Sequence, residues 1–204
     1  NGAAMRAALL GVAIEDFDTM LSFVRGSTRI THLDPKAEFG AIAVAIAARE
    51  FAAPVRCSPE RWLYSVEKAV GDDASEFTML LKRVVLSVQS GESTKSFAAS
   101  LGLDRGVSGY VYDTVPICAH AWLSHPDDYR EAITSVIQCG GDADTTAAIV
   151  GGVVGARVGP KGIPQDWIDG LRDWPRSTHW ISALAERLSE SRGLSIRSGV
   201  PTVN

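Results

Sequence analysis

The sequence predicts a single all-α domain over residues 1–204, and three observations support this prediction. Apolar residues recur at intervals of three and four through most segments, which is the period of an amphipathic helix. Two of these segments begin at a serine or an aspartate followed by proline, residue types favoured at helix N-termini. No stretch of useful length alternates polar and apolar residues as a half-buried strand does. We therefore expect helices packed on helices.

Capping residues mark where the predicted helices begin. Asp34 and Pro35 precede an alanine-rich segment, and Ser58 and Pro59 precede an amphipathic one. A side-chain oxygen before the first turn accepts a free backbone N–H, and proline fits the first helical position. In chain order, we predict helices over residues 37–51, 59–70, 77–88, 113–123, 127–138, 144–158, 164–171 and 180–188, with a loop over 90–109 and a tail over 195–204.

The predicted helix over residues 144–158 carries a stripe of small residues. Ala147, Gly151 and Gly155 recur every four positions and share one face, and Gly159-Pro160 ends the helix. Glycine in a helix costs about 1 kcal/mol relative to alanine. The simplest reason for such a stripe is the close approach of another helix.

Composition and charge exclude several classes of partner. The net charge is −4 and the basic residues are scattered, which argues against nucleic-acid binding. The longest apolar run, residues 147–156, is far shorter than the roughly 20 residues needed to span a bilayer. The three cysteines are widely spaced, which favours small core residues of a reducing compartment over zinc ligands or disulfides. We expect a cytoplasmic protein.

The segment Gly140-Gly141-Asp142-Ala143-Asp144-Thr145 is the strongest candidate for chemistry. Two carboxylates this close repel each other unless a cation or water lies between them. Oxygen ligands on a short turn suit Mg²⁺ or Mn²⁺. In the alternative interpretation, Asp144 caps the following helix and Asp142 is solvated outside it.

Three further segments combine glycine with polar residues. Residues 1–6 are small and loosened by Gly2, as where backbone approaches a ligand or where an end frays. His32 precedes a helix N-terminus and offers a donor there, although a local cap explains that segment equally well. Residues 106–110 form a glycine-containing loop with an aromatic ring, Tyr110, that could stack on a planar group. No Ser/His/Asp or Cys/His triad can be assembled from local patterns.

Together these segments resemble the ADP-ribosylglycohydrolase family, which includes the dinitrogenase-reductase-activating enzymes. The resemblance implies an all-α orthogonal multi-helix bundle around a two-magnesium centre. It also implies cleavage of the glycosidic bond between ADP-ribose and a modified side chain. The blocks follow the family order along nearly the whole chain: residues 1–6; Thr31, His32, Pro35 and Ala37; residues 108–111; residues 140–145 with Ala147, Ala148, Gly151, Gly155 and Ala156; and residues 162–164 with Trp167.

The resemblance also implies roles residue by residue. Two Mg²⁺ ions, or Mn²⁺, are expected in the complete site, where paired cations about 3.5–4 Å apart orient a substrate and a water. Asp142, Asp144 and Thr145 match metal ligands, and Asp142 and Asp144 are the expected catalytic residues. The residues matching the ADP-ribosyl binding site are Asn1, Gly2, His32, Ser108, Gly109 and Tyr110.

The chain departs from the family pattern at the metal centre. The family's other ligands come from a Thr-Asp-Asp block upstream of the Asn-Gly-Ala-Ala segment, and this chain has no such block. We therefore expect the C-terminal two-thirds to three-quarters of a larger domain, completed by an N-terminal segment in cis or by a second chain. An ADP-ribosylated protein or small ADP-ribosyl compound is the expected substrate. The alternative is a non-catalytic family member acting as a binding or structural protein, which an intact Thr-Asp-Asp block would rule against.

Overall fold

The computed structural model describes residues 1–55, 57–172 and 174–197, and most of them lie in helices. The prediction of an all-α, multi-helix fold is confirmed. The helices are α1 (Gly2–Ala13), α2 (Phe17–Arg29), α3 (Pro35–Ala52), α4 (Pro59–Val70), α5 (Ser75–Gln89), α6 (Thr94–Ser100), α7 (Val111–Ser124), α8 (Tyr129–Ile137), α9 (Ala143–Val158), α10 (Gln165–Gly170) and α11 (Thr178–Arg197), with short 3₁₀ helices at Asp72–Ala74 and Pro160–Gly162.

The helices fall into two compact units. The first, Asn1–Ile163, holds α1 to α9, and the second, Pro164–Asn204, holds α10 and α11. The expectation of one domain over residues 1–204 therefore stays a prediction. None of the helices in the described part of the chain combines the length and the apolar character needed to cross a membrane.

Helix α3 lies at the centre of the first unit. It packs against α1, α2, α4, α7 and α9, and every residue from Ala41 to Ala48 is buried. A helix that is apolar on all sides is stable only when other helices cover all of them. Helix α1 crosses so close to α3 that a Cβ on Gly11 would collide with the carbonyl of Ala45. This contact fixes the C-terminal half of α1 against α3.

Helix α7 forms the second buried layer. Twelve of its residues, from Val111 to Leu123, are buried, with Asp113 as the half-buried exception in that range. Trp122 of α7 packs edge-to-face on Trp62 of α4, with ring centroids 5.7 Å apart. The Trp62 indole N–H donates to the carbonyl oxygen of Ala43 at 3.1 Å, so α3, α4 and α7 are joined in one core.

Most predicted helix starts are confirmed. Asp34 accepts a hydrogen bond from the backbone N–H of Lys36 at 2.9 Å, and Ser58 accepts from that of Arg61 at 3.2 Å. Helix α9 ends at Gly159, which adopts a positive φ of 66°. Along its small-residue stripe, a Cβ on Gly151 would lie 2.8 Å from the Tyr129 hydroxyl of α8. The predicted close approach of another helix is thus found there.

Four helical segments differ from prediction. Residues 2–6 belong to α1 rather than to a loosened or frayed segment, and α2 was not predicted. Helix α6 interrupts the predicted loop over 90–109, because Ser93 caps a seven-residue helix in a polar segment that shows no periodicity. Helix α11 continues to Arg197, beyond the predicted end at residue 188. Residues 198–204 of the predicted tail lie outside the described residues.

Candidate functional site

The Gly140-Gly141 turn is tied to the loop that precedes α7. Val107 and Gly141 form a parallel bridge: Val107 N donates to Gly140 O at 3.1 Å, and Asp142 N donates to Val107 O at 2.8 Å. Gly141 has a φ of 77°, and a Cβ there would collide with the Val107 backbone. Only glycine meets both requirements without strain. The bridge places Asp142 beside residues 108–110, more than 30 positions earlier in the chain.

Asp142 holds a long-range hydrogen bond instead of capping its helix. It occupies the N-cap position of α9 but makes no side-chain capping bond. Its Oδ2 accepts from the Asn1 side-chain amide at 2.8 Å, and the same amide donates to the hydroxyl of Thr114 at 3.2 Å. The hydrogen bond from Asn1, followed by that from Thr145, lowers the pKa of Asp142 below its usual value. Asp142 is therefore held as a carboxylate.

The interpretation of Asp144 as the helix cap is wrong. Asp144 lies inside the first turn of α9, one residue past the first helical position, and is exposed. Its carboxyl group lies within hydrogen-bonding reach of that of Asp142. Thr145 is buried and its hydroxyl contacts Asp142. Two carboxylates and one hydroxyl thus gather at the N-terminus of a 16-residue helix, where the helix dipole favours negative charge.

This donor set fits part of a site for a hard divalent cation. All of its donors are oxygen atoms, which Mg²⁺ and Mn²⁺ prefer. Magnesium takes about six oxygen ligands, and Asp142, Asp144 and Thr145 supply only some of them. Among the described residues, no cluster of three or more His, Cys, Asp or Glu side chains has the arrangement of a metal site. Further ligands would have to come from substrate, water or other protein groups.

The loop over residues 108–110 lies against the Asp142–Asn1 pair. A Cβ on Gly109 would lie 3.5 Å from Asp142 Oδ2 and 3.9 Å from Asn1 Nδ2, so the missing side chain leaves this side of the pair open. The Ser108 hydroxyl is already engaged, donating to Asp113 at 2.6 Å and accepting from Tyr110 N at 3.0 Å. Ser108 therefore shapes the loop rather than offering a free hydroxyl.

Gly2 and His32 meet at the start of α1. A Cβ on Gly2 would lie 3.4 Å from His32 Cε1, and His32 is half-buried. The Nδ1 atom of His32 lies 2.7 Å from the Thr31 hydroxyl, which also accepts from Arg6 at 2.7 Å. His32 is thus packed against the residue that follows Asn1, and it belongs to the same cluster.

Tyr110 extends the cluster toward α3. Its hydroxyl accepts from Lys36 Nζ at 2.8 Å, and its ring is 44% exposed. Lys36 also pairs with Glu76 at 3.0 Å and lies 4.6 Å from the centroid of the Tyr112 ring. The hydrogen bond to Tyr110, followed by that to Glu76, raises the pKa of Lys36 above its usual value. Lys36 is therefore a fixed positive charge beside the loop.

The structure brings together every site residue that the sequence predicts, although their roles stay predictions. Thr114, Lys36 and Arg6 belong to the same region and were missed as site residues. Thr114 is fully buried and donates to Ser108 O at 2.9 Å. Its position at the start of a largely apolar helix, directly after the glycine-containing loop, was a usable signal. The Lys36–Tyr110 pair spans 74 positions and left no local pattern.

Comparison with known proteins identifies a family and several relatives that this chain resembles. A family model described as ADP-ribosylglycohydrolase matches residues 1–197. The chain is 28% identical over 193 residues to ADP-ribosylhydrolase ARH3 of Mus musculus, covering 82% of this chain and 51% of that protein. It is 40% identical over 81 residues to ADP-ribosylarginine hydrolase Tri1 of Serratia proteamaculans, covering 40% of this chain and 21% of that protein.

A third relative is also named as a hydrolase of an ADP-ribosyl compound. The chain is 34% identical over 83 residues to ADP-ribosyl-[dinitrogen reductase] glycohydrolase of Rhodospirillum rubrum, covering 38% of this chain and 28% of that protein. Even the longer matches cover only part of the known protein. The chain spans about half the length of the curated relatives that it matches along most of its own length.

Proposed function

The chain belongs to the ADP-ribosylglycohydrolase family, and we propose that it forms part of the active site of a hydrolase acting on ADP-ribosyl linkages. The bond cleaved would be the glycosidic bond between ADP-ribose and a modified protein side chain or small compound. One observation carries this proposal. The Asn1 amide, Gly109 and the Asp142 carboxylate converge from three distant segments onto one partly exposed spot.

We propose that Asp142, Asp144 and Thr145 hold divalent metal, Mg²⁺ or Mn²⁺, with two ions in the complete site. Bound cations would orient ribose hydroxyls and a water and offset negative charge. The Asn1 amide occupies Asp142 Oδ2, which fixes the carboxylate plane. Thr145, the third residue of α9, adds a hydroxyl group to the same set of oxygen donors. The remaining ligands would be supplied by another protein segment, in cis or as a second chain, because the local donor set is incomplete.

The substrate side of the site is formed by backbone and by two side chains, His32 and Tyr110. Gly109 carries no Cβ, so a ligand can approach its backbone beside Asn1, whereas at Gly2 the missing Cβ lets His32 pack close to the start of α1. His32 offers a ring nitrogen, and Tyr110 offers a partly exposed ring that could stack on a planar base. Two relatives are named for ADP-ribosylarginine and for ADP-ribosylated dinitrogen reductase. We propose the same class of substrate here, an ADP-ribosylated protein or related compound.

A non-catalytic binding protein of the same fold is the second candidate. The observation that favours it is the small number of carboxylates at the site, since catalysis by paired cations needs ligands for both. Such a protein would bind ADP-ribose without hydrolysing its conjugates. We also propose a cytoplasmic location, which agrees with the free thiols of Cys57, Cys118 and Cys139.

Activity of the chain alone and of the complete gene product would test the proposal. Release of ADP-ribose from an ADP-ribosylated peptide would be measured by chromatography with Mg²⁺ and with a chelator. We expect negligible release by the 204-residue chain and Mg²⁺-dependent release by the complete protein. Turnover by the isolated chain, or insensitivity of the complete protein to the chelator, would contradict the two-metal proposal. Binding of ADP-ribose without turnover by the complete protein would favour the second candidate.

A further inference from the structure

Thr31 connects Arg6 to His32 beside the candidate ligand site. Arg6 Nη2 donates to the Thr31 hydroxyl at 2.7 Å, and that hydroxyl lies 2.7 Å from His32 Nδ1. Arg6 is itself fixed by donating to Gly2 O at 2.9 Å and to the side chain and carbonyl oxygen of Ser27. The three side chains therefore form one chain of hydrogen bonds that starts at the first turn of α1.

The direction of each hydrogen bond follows from the protons available. An arginine side chain only donates, so the Thr31 oxygen accepts from Arg6. The hydroxyl has one proton of its own to donate. Its possible acceptors are His32 Nδ1 at 2.7 Å and the carbonyl oxygen of Thr28 at 3.4 Å. A hydroxyl oxygen that already accepts from a guanidinium is a poorer acceptor and a better donor, which favours donation from Thr31 to His32 Nδ1 over donation from the ring to Thr31. His32 Nδ1 then accepts, and the ring proton lies on Nε2.

The free edge of the His32 ring lies at the proposed substrate site. Its Cε1 atom, which joins the two ring nitrogens, is 3.4 Å from where a Gly2 side chain would begin. Among the described residues, no protein group accepts a hydrogen bond from Nε2. His32 as a residue is half-buried, and a ring N–H without a protein partner is suited to donate to a ligand.

We propose that Arg6 and Thr31 are positioning residues that hold His32 as the Nε2–H tautomer. In this form His32 donates a hydrogen bond to an oxygen of the bound ADP-ribosyl group. Its Nδ1 atom faces Thr31 and takes no part in ligand contact. The ligand contact rests on the proposed function, whereas the tautomer follows from the hydrogen bonds within the chain alone.

Nitrogen NMR of the histidine rings would test the tautomer directly. Long-range proton–nitrogen correlation distinguishes a protonated ring nitrogen from an unprotonated one, and the His32→Gln variant would assign the His32 signals. In the wild-type chain at pH 8 we expect Nε2 protonated and Nδ1 unprotonated. Thr31→Ser keeps the hydroxyl and should keep this pattern. Thr31→Val removes it and should give signals averaged between the two tautomers.

Affinity for ADP-ribose, measured by calorimetry on the complete protein, would test the ligand contact. Thr31→Val should weaken binding about tenfold, as expected for one misdirected hydrogen bond, and Thr31→Ser should bind like wild type. Arg6→Met should also mix the tautomers; an unchanged pattern would remove Arg6 from the proposal. An Nε2–H tautomer that persists in Thr31→Val would overturn it entirely.

Failure of the proposed function would have a different outcome. If the wild-type protein shows the expected tautomer but binds no ADP-ribose, the proposed function is wrong and the tautomer assignment stands. If it binds ADP-ribose while His32 carries its proton on Nδ1, the proposed function stands and this inference is wrong. Circular dichroism of each variant would establish that the helices remain folded, as expected because Thr31 is exposed.

Discussion

The clusters around His32 and His120 use the same residue types in opposite ways. His120 is fully buried, its Nε2 lies 3.1 Å from the Ser87 hydroxyl and its Nδ1 lies 3.0 Å from that of Thr94. Its ring also stacks on Phe97 at 4.9 Å. His32 is half-buried, and within the described part of the chain only one of its ring nitrogens has a protein partner. A histidine with both nitrogens satisfied holds helices together, whereas one left half-satisfied at the surface is suited to a ligand.

The same contrast extends to the carboxylates of the two clusters. Glu92 accepts a short hydrogen bond from Ser87, which continues the buried network around His120. Asp142 and Asp144 instead lie close together at the start of α9, where the Asn1 amide and the Thr145 hydroxyl donate to Asp142. A closed network contributes stability, and an open pair of carboxylates recruits a cation. We therefore expect substitutions in the network around His120 to change stability, and substitutions at the Asp142–Asp144 pair to change function.

The largest effect is expected at Asp142. Substituting Asp142→Asn in the complete protein keeps an oxygen that can accept from Asn1 but removes the negative charge needed to hold a cation. We expect hydrolysis to fall by about a thousandfold or more, with little change in melting temperature. The matched control is Asp73→Asn, an exposed carboxylate in a 3₁₀ helix, which should retain full activity. Activity within tenfold of wild type in Asp142→Asn would remove Asp142 from the catalytic centre.

The buried cluster should respond to pH instead. Burial lowers the pKa of His120 from 6.5 to about 4. In the unfolded chain His120 therefore binds a proton as the pH falls below 6.5, whereas in the folded chain it stays neutral until about pH 4. Stability contributed by neutral His120 is complete above pH 6.5 and is lost as the pH falls to 4. The loss amounts to about 3 kcal/mol.

Urea unfolding of wild type and His120→Gln at pH 7 and pH 4.5 would measure this loss. The variant is less stable at pH 7 but should lose less stability on acidification, because glutamine takes up no proton. Equal acid sensitivity in the two proteins would show that His120 is not the titrating group. Binding of ADP-ribose at pH 7 should be the same in both proteins, since His120 is not among the residues of the candidate site.

Much of the fold could be predicted from sequence because its signals are local. Asp34 and Ser58 cap helices where their side chains and the following prolines indicated. Helix α6 was missed because seven residues of mixed polarity carry no period. The Asn1–Asp142 hydrogen bond spans 141 positions, so no local pattern contains it. The family resemblance singled out both residues, and the packing of α1 on α3 and the Val107–Gly141 bridge explain why they meet.

That bridge provides a third test, with two neighbouring glycines as a matched pair. Gly140 and Gly141 both have positive φ, at 71° and 77°, so alanine is strained at either position. At Gly140 the nearest atom to a new Cβ is 3.8 Å away, whereas at Gly141 the Cβ meets the Val107 backbone. We expect Gly141→Ala to be less stable than Gly140→Ala by about 2 kcal/mol and to lose ADP-ribose binding as Asp142 shifts. Equal stability of the two variants would show that the bridge does not fix the turn.

The smallest effects are expected at Tyr110, where the ring and the hydroxyl can be separated. Removing the ring in Tyr110→Ala should weaken ADP-ribose binding about tenfold if a base stacks on it. Tyr110→Phe keeps the ring and loses only the hydrogen bond from Lys36, so binding should stay within about twofold. Lys36→Met removes the same hydrogen bond from its other side and should match Tyr110→Phe. If both variants instead bind as weakly as Tyr110→Ala, the Lys36 side chain is needed to fix the position of the Tyr110 ring. If Tyr110→Ala binds as wild type, the Tyr110 ring lies outside the ligand site, and Gly109 is the last residue of this loop that contacts the ligand.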